Sequence, residues 1–118
     1  LAWLDGGGRV DAAFEYVFSS GPVSGMTLLM LAMVDGHAEL AEALLRRGAD
    51  TSLLTSDGTS YALGLAAVNG HKNLVELAVR LGAEVDQQNS EGDTALMLAA
   101  DNGHPAVVLR LLRAGADM

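Results

Sequence analysis

One seven-residue pattern is written four times along the chain. It reads Leu1-Ala2-Trp3-Leu4-Asp5-Gly6-Gly7, Leu31-Ala32-Met33-Val34-Asp35-Gly36-His37, Leu65-Ala66-Ala67-Val68-Asn69-Gly70-His71 and Leu98-Ala99-Ala100-Asp101-Asn102-Gly103-His104. The glycines of the three complete copies lie 34 and then 33 residues apart. Each complete copy is followed by an apolar helical pattern and a second signature: Gly48-Ala49-Asp50, Gly82-Ala83-Glu84 or Gly115-Ala116-Asp117. A unit this short cannot bury its own apolar face. A fixed period near 33 therefore demands that units stack on one another.

The amino-acid usage suits thin layers. Half of the 118 residues are hydrophobic, yet only 4% are aromatic, so Ala, Leu, Val and Met must fill the interior. The net charge of −8 disfavours nucleic acid, whose phosphates are neutralised by Lys and Arg. A basic peptide or protein surface is the expected kind of partner. There is no cysteine, hence no disulfide framework or thiolate metal site, which fits an intracellular chain, cytoplasmic or nuclear. No apolar run approaches the roughly 18 residues of a membrane span, and nothing at the start resembles a signal peptide.

Four segments follow from the repeat: a partial one at 1–23, complete ones at 24–55 and 56–89, and a last at 90–118. The chain opens inside a repeat and is expected to be a piece of something longer. In the first segment, Val10, Ala13, Phe14 and Val17 fall at helical spacing, which predicts a helix from Arg9 to about Phe18 ended by Ser19-Ser20-Gly21-Pro22. Trp3 and Phe14 read as core. In the complete repeats, Thr27 starts a short helix, Gly36 turns the chain, and a second helix follows to Arg47. Gly48 then supplies the left-handed residue that ends it. The repeat at 56–89 is one residue longer: Gly58 to His71 spans 13 positions, against 12 from Gly25 to His37 and from Gly92 to His104. The extra residue falls near Thr59-Ser60-Tyr61. In the last repeat Val107, Val108, Leu111 and Leu112 are apolar with no polar cap beyond them, so that end is expected to be exposed and adhesive.

The runs Gly25-Met26-Thr27-Leu28-Leu29-Met30-Leu31-Ala32 and Gly92-Asp93-Thr94-Ala95-Leu96-Met97-Leu98-Ala99, the Gly-His turns and the Gly-Ala-Asp/Glu ends resemble ankyrin repeats over nearly the whole chain. The family's Thr-Pro-Leu-His tetrapeptide reads Thr27-Leu28-Leu29-Met30, Tyr61-Ala62-Leu63-Gly64 and Thr94-Ala95-Leu96-Met97 here. The resemblance implies an all-α solenoid of stacked antiparallel helix pairs with projecting hairpin-like loops. It also implies a protein-binding module without chemistry of its own, using no cofactor.

By the family's geometry, loop tips and exposed short-helix positions line a concave face. The candidate partner-binding residues are Met33, Asp35, Leu53, Leu54, Asp57, Thr59, Val68, Asn69, Gln88, Glu91, Asp93, Asp101 and Asn102. The acids give that face a negative field, and Leu53-Leu54 offers an apolar contact. The competing reading is a solvated acidic surface. A second function, from another class, is a scaffold segment that packs or self-associates through its uncapped end.

Chemistry is not expected. His37, His71 and His104 recur one layer apart, roughly 10 Å, too far to share an ion at bond lengths of about 2 Å. Each is expected instead to bond turn backbone of its own repeat. Ser52, Ser56, Ser60 and Ser90 sit in turn sequences, and Gly6-Gly7-Gly8 lacks the lysine of a phosphate loop. No catalytic residue and no metal ligand is assigned.

Overall fold

In every repeat a glycine decides where each helix stops. The computed structural model describes residues 10–18 and 21–116. Among the described residues six helices form three pairs: α1 (Leu28–Asp35) with α2 (Ala38–Arg46), α3 (Ala62–Val68) with α4 (Lys72–Arg80), and α5 (Ala95–Asp101) with α6 (Pro105–Arg113). After α1, α3 and α5 the chain passes through Gly36, Gly70 and Gly103 at φ 74°, 73° and 72°. The next N–H then reaches back five residues: His37 to the Ala32 carbonyl, His71 to Ala66 and His104 to Ala99, each at 2.9 Å. The second helices end the same way. Ala49, Ala83 and Ala116 donate to Leu44, Ala78 and Leu111 across Gly48, Gly82 and Gly115. This bond is open because glycine has no Cβ to clash in the left-handed region. The recurrent Gly-His and Gly-Ala signatures are thus helix terminators.

Starts are specified as clearly. Thr27 Oγ1 accepts from the Met30 N–H at 3.2 Å and Thr94 Oγ1 from the Met97 N–H at 3.3 Å, as helix-capping hydroxyls do. Pro105 opens α6, where its missing N–H has no helical acceptor to lose.

The short helices α1, α3 and α5 pack in one row, and α2, α4 and α6 in a second. Between the rows lie Leu29, Met33 and Leu44, then Ala66, Leu74 and Ala78, then Ala99, Val107 and Leu111, all buried. Alanines on the short helices let the layers approach closely. The larger aliphatics supply most of the burial energy, about 1.5–3 kcal/mol for each fully covered side chain.

The extra residue of the middle repeat can be placed. In the last repeat the Asn89 N–H donates to the Asp93 carbonyl, four residues on. In the middle repeat the Thr55 N–H donates to the Ser60 carbonyl, five residues on. Gly58 and Gly92 hold equivalent places, donating to the Thr55 and Asn89 carbonyls. The additional residue is therefore Thr59, and the loop bulges there. From Tyr61 onward the register is restored, with Tyr61 standing where Thr27 and Thr94 cap their helices.

The first segment departs from the expected helix. Ala13–Phe18 is a strand, β1, paired antiparallel with β2 (Gly21–Thr27), so the architecture is a mostly helical solenoid with a two-stranded sheet rather than all-α. Phe14 faces Met26 and Tyr16 faces Val23, with an irregularity between them. The physical reason is a competing period. Phe14 and Tyr16 are half-buried, while Ala13, Glu15 and Val17 are exposed, Val17 at 70%. Aromatic and β-branched residues favour this pleated arrangement once a partner strand lies alongside. Gly21 and Pro22 accordingly begin a strand instead of ending a helix. Phe14 is not deep core; its ring meets Tyr16 edge-on at 6.5 Å. Arg9, Trp3, Ser19 and Ser20 lie outside the described residues.

Candidate functional site

The layers are latched at their corners. His71 Nε2 lies 3.1 Å from the Val34 carbonyl, and His104 Nε2 lies 2.8 Å from the Val68 carbonyl. A carbonyl only accepts, so each Nε2 carries the proton and donates. Both acceptors belong to the preceding layer, which corrects the expectation that each histidine serves its own repeat. The rings reach back because they lie over the preceding corner: a Cβ on Gly36 would sit 2.8 Å from His71 Cε1, and one on Gly70 would sit 2.7 Å from His104 Nδ1. His37 uses Nδ1 locally, accepting from the Leu40 N–H at 3.4 Å.

The projecting loops are tied in the same sense. The Ser56 N–H donates to the Ser24 carbonyl, and the Ser90 N–H to the Gly58 carbonyl, both at 2.9 Å. Gln87 Nε2 reaches the Ser52 carbonyl at 2.9 Å and Asn89 Nδ2 the Thr59 carbonyl at 3.0 Å. Successive loop tips therefore stand in fixed register. The role of Asn89 was not foreseen; its signal is an Asn opening a tight turn, whose Oδ1 accepts from the Glu91 and Asp93 N–H groups.

The candidate residues divide by what their side chains already do. Asp35, Glu91 and Asp101 are exposed. Leu54 is 40% exposed and Leu53 half-buried beside it in sequence. Thr59 and Gln88 are exposed, and Val68 and Asp93 are half-buried. Met33 is a correction: it is fully buried in the core rather than exposed on the short helix. Asn69 and Asn102 are exposed, but their Nδ2 atoms are held by the Leu65 and Leu98 carbonyls at 2.8 and 2.7 Å, closing the short helices.

Asp57 is exposed and structural at once. Its Oδ1 accepts from the Thr55 hydroxyl at 2.6 Å, the Thr59 N–H at 3.1 Å and the Thr59 hydroxyl at 2.8 Å. The Thr55 hydroxyl, then the Thr59 groups, hold the carboxyl below its ordinary value. Ser52 does the same to Asp50 through its hydroxyl and its N–H. Tyr61 is buried, which pushes its phenol up, and the nearby Asp93 charge adds to this.

The last layer also corrects an expectation. Val107 and Leu111 are buried within the stack rather than turned outward. The outward apolar residues are Met97, Leu109 and Leu112, exposed at 47%, 48% and 37%, with Val108 half-buried. Among the described residues no group of three or more His, Asp or Glu is placed to hold a metal. No helix there is long and apolar enough to cross a membrane.

Paired helices, glycine corners and stacked loops recur three times, and a family model described as ankyrin repeats in three copies matches residues 29–118. The chain belongs to the ankyrin-repeat family. No curated protein matches it. Ankyrin repeats are generally protein–protein interaction modules and typically carry no catalysis of their own.

Proposed function

We propose that this ankyrin-repeat chain holds a basic peptide or protein surface along the edge formed by its loop tips and short-helix ends. The observation that carries the reading is the registered loop ladder. Glu91 is exposed in a loop tied to the layer before it, Asp35 and Asp101 are exposed at the short-helix ends, and Leu54 is an exposed apolar contact. A preformed row of like charges needs no ordering on binding, so its attraction for a complementary chain is not spent on fixing the surface. Screening a displayed peptide library against the chain tests this. Enrichment of sequences combining Lys or Arg with aliphatic residues supports it. Loss of those binders in Asp35→Lys/Glu91→Lys/Asp101→Lys, with helical circular dichroism retained, assigns them to this edge. Equal binding by the triple variant rejects it. Asp57 is left out because its reversal would break the turn it closes.

A second reading is favoured by one specific observation. Gly36 and Gly70 are each covered by the histidine of the following layer, whereas a Cβ on Gly103 would meet nothing within 4 Å. The groove beside it is lined by Ala100, His104, Pro105, Val108, Leu109 and Leu112. We read this face as a seat for a further helix pair or for a second copy of the chain. Exposed apolar area of this kind marks contact surfaces. Sedimentation at several concentrations, repeated with Leu109→Glu/Leu112→Glu, decides for the second copy. Concentration-dependent association abolished by the variant supports it, and a strict monomer throughout rejects it.

A further inference from the structure

On the side of the second helices the sign of the surface inverts. A groove of about 330 Å³ runs between α4 and α6, lined by Arg80, Arg110 and Arg113 and by the apolar Val79 and Ala114, with Val75 buried beneath. The chain has only seven Lys and Arg against fifteen Asp and Glu. Three of those seven line this one groove, together with a single acid, Glu76. Arg110 Nη1 is engaged by Glu76 Oε2 across the layer boundary, which neutralises that pair. Arg80 and Arg113 have no such partner among the described residues, and both are exposed. The last-turn carbonyls of α4 and α6 draw on part of their charge, but a helix end carries only about half an elementary charge. Two whole guanidinium charges therefore exceed what the two helix ends require.

We propose that this groove is a docking site for an acidic peptide segment, in which a carboxylate side chain meets Arg80 and Arg113 and a neighbouring aliphatic side chain rests on Val79 and Ala114. Guanidinium takes carboxylate in a planar, two-point fashion that lysine does not, and every rim cation here is arginine. The apolar floor calls for a chain with a hydrophobic residue beside the acid, not a bare ion. The volume admits one acidic side chain and a neighbour, at the small end of ligand sites. This site takes the opposite charge from the loop edge and lies on different helices, so the two stand or fall separately.

Three probes test it by backbone amide shift titration of the whole chain: acetyl-Leu-Glu-Val-amide, acetyl-Leu-Gln-Val-amide and glutarate. The glutamate peptide is expected to shift amides at the ends of α4 and α6 and to bind more tightly than the glutamine peptide by at least about tenfold, the scale of one charge-assisted contact. Arg80→Gln/Arg113→Gln, both at exposed positions, is expected to keep the native melt and to abolish that difference. Raising the salt is expected to weaken the contact, since the rim is exposed. Equal binding of the two peptides, or full binding by the double variant, overturns the proposal. Glutarate binding as tightly as the glutamate peptide overturns its assignment to a peptide, and so does the absence of any shift.

Discussion

The Tyr61 hydroxyl donates to the Gln87 carbonyl at 2.9 Å, joining the start of α3 to the loop of the following layer. It also lies 3.3 Å from the Asp93 carbonyl. The ring that carries it is fully buried and passes so close to Gly64 that an added Cβ would meet Tyr61 Cε1 and Cζ at 3.0 Å and Leu98 Cδ1 at 3.1 Å. Tyr61 occupies the capping position and Gly64 the position three residues later. Each choice requires the other.

That dependence gives a double-mutant cycle. Gly64→Ala alone should destabilise by about 1 kcal/mol, because overpacking against a pinned ring outweighs alanine's better helix propensity. In the Tyr61→Thr background the same change should stabilise by up to about 1 kcal/mol. Urea unfolding of the four proteins measures the sign. Tyr61→Phe should cost about 1 kcal/mol, since the part-buried Gln87 carbonyl loses its donor.

The corners give a graded prediction. Gly70→Ala meets both a left-handed φ and the His104 ring at 2.7 Å, whereas Gly103→Ala meets only the φ. The second should cost about 1–2 kcal/mol and the first clearly more. His104→Ala should cost about 1–3 kcal/mol by leaving the Val68 carbonyl unpaired. Denaturant midpoints at fixed slope would show the order; equal costs for the two glycines would contradict the latch.

Acid sensitivity should concentrate in the middle loop. The Asp57 carboxyl is held below its ordinary 3.8 by hydrogen bonds made only in the folded chain. A depressed folded-state value means that this stabilisation is fully present above about 3.8. It is lost as pH falls below that and through the folded-state value. Carboxyl-carbon NMR should find the Asp57 midpoint below 3.8. A midpoint at or above 3.8 would contradict the turn.

The hairpin predicts tolerance at Val17. A helix would place this side chain on the face shared with Val10, Ala13 and Phe14, but β1 leaves it in solvent. Val17→Lys should change stability by no more than about 0.5 kcal/mol. A cost of several times that would restore the helical reading of the segment.

These cases show what the chain discloses in one dimension. Gly36, Gly70 and Gly103 could be read because a left-handed helix end leaves few alternatives, and the extra residue because 13 positions stand where 12 are usual. The hairpin could not, because Val10, Ala13, Phe14 and Val17 satisfy a helical period while Phe14 and Tyr16 also satisfy a period of two. Only the partner strand decides between them. The direction of His71 and His104 was hidden because ring reach depends on layer spacing, which spacing along the chain does not encode. Met33 and Leu109 were misplaced or missed for a related reason: a short helix fixes its phase only when its neighbours are in place. Asp57 looked like a free surface charge, and its three donors are what distinguish it.

The central claim is that successive helix pairs lean on one another through these corners. Nuclear Overhauser contacts from the ring protons of His71 to Gly36 and of His104 to Gly70 test it most directly. Both sets should be strong, each histidine reporting the glycine one layer back. Contacts confined to each histidine's own layer, with none to Gly36 or Gly70, would contradict the account.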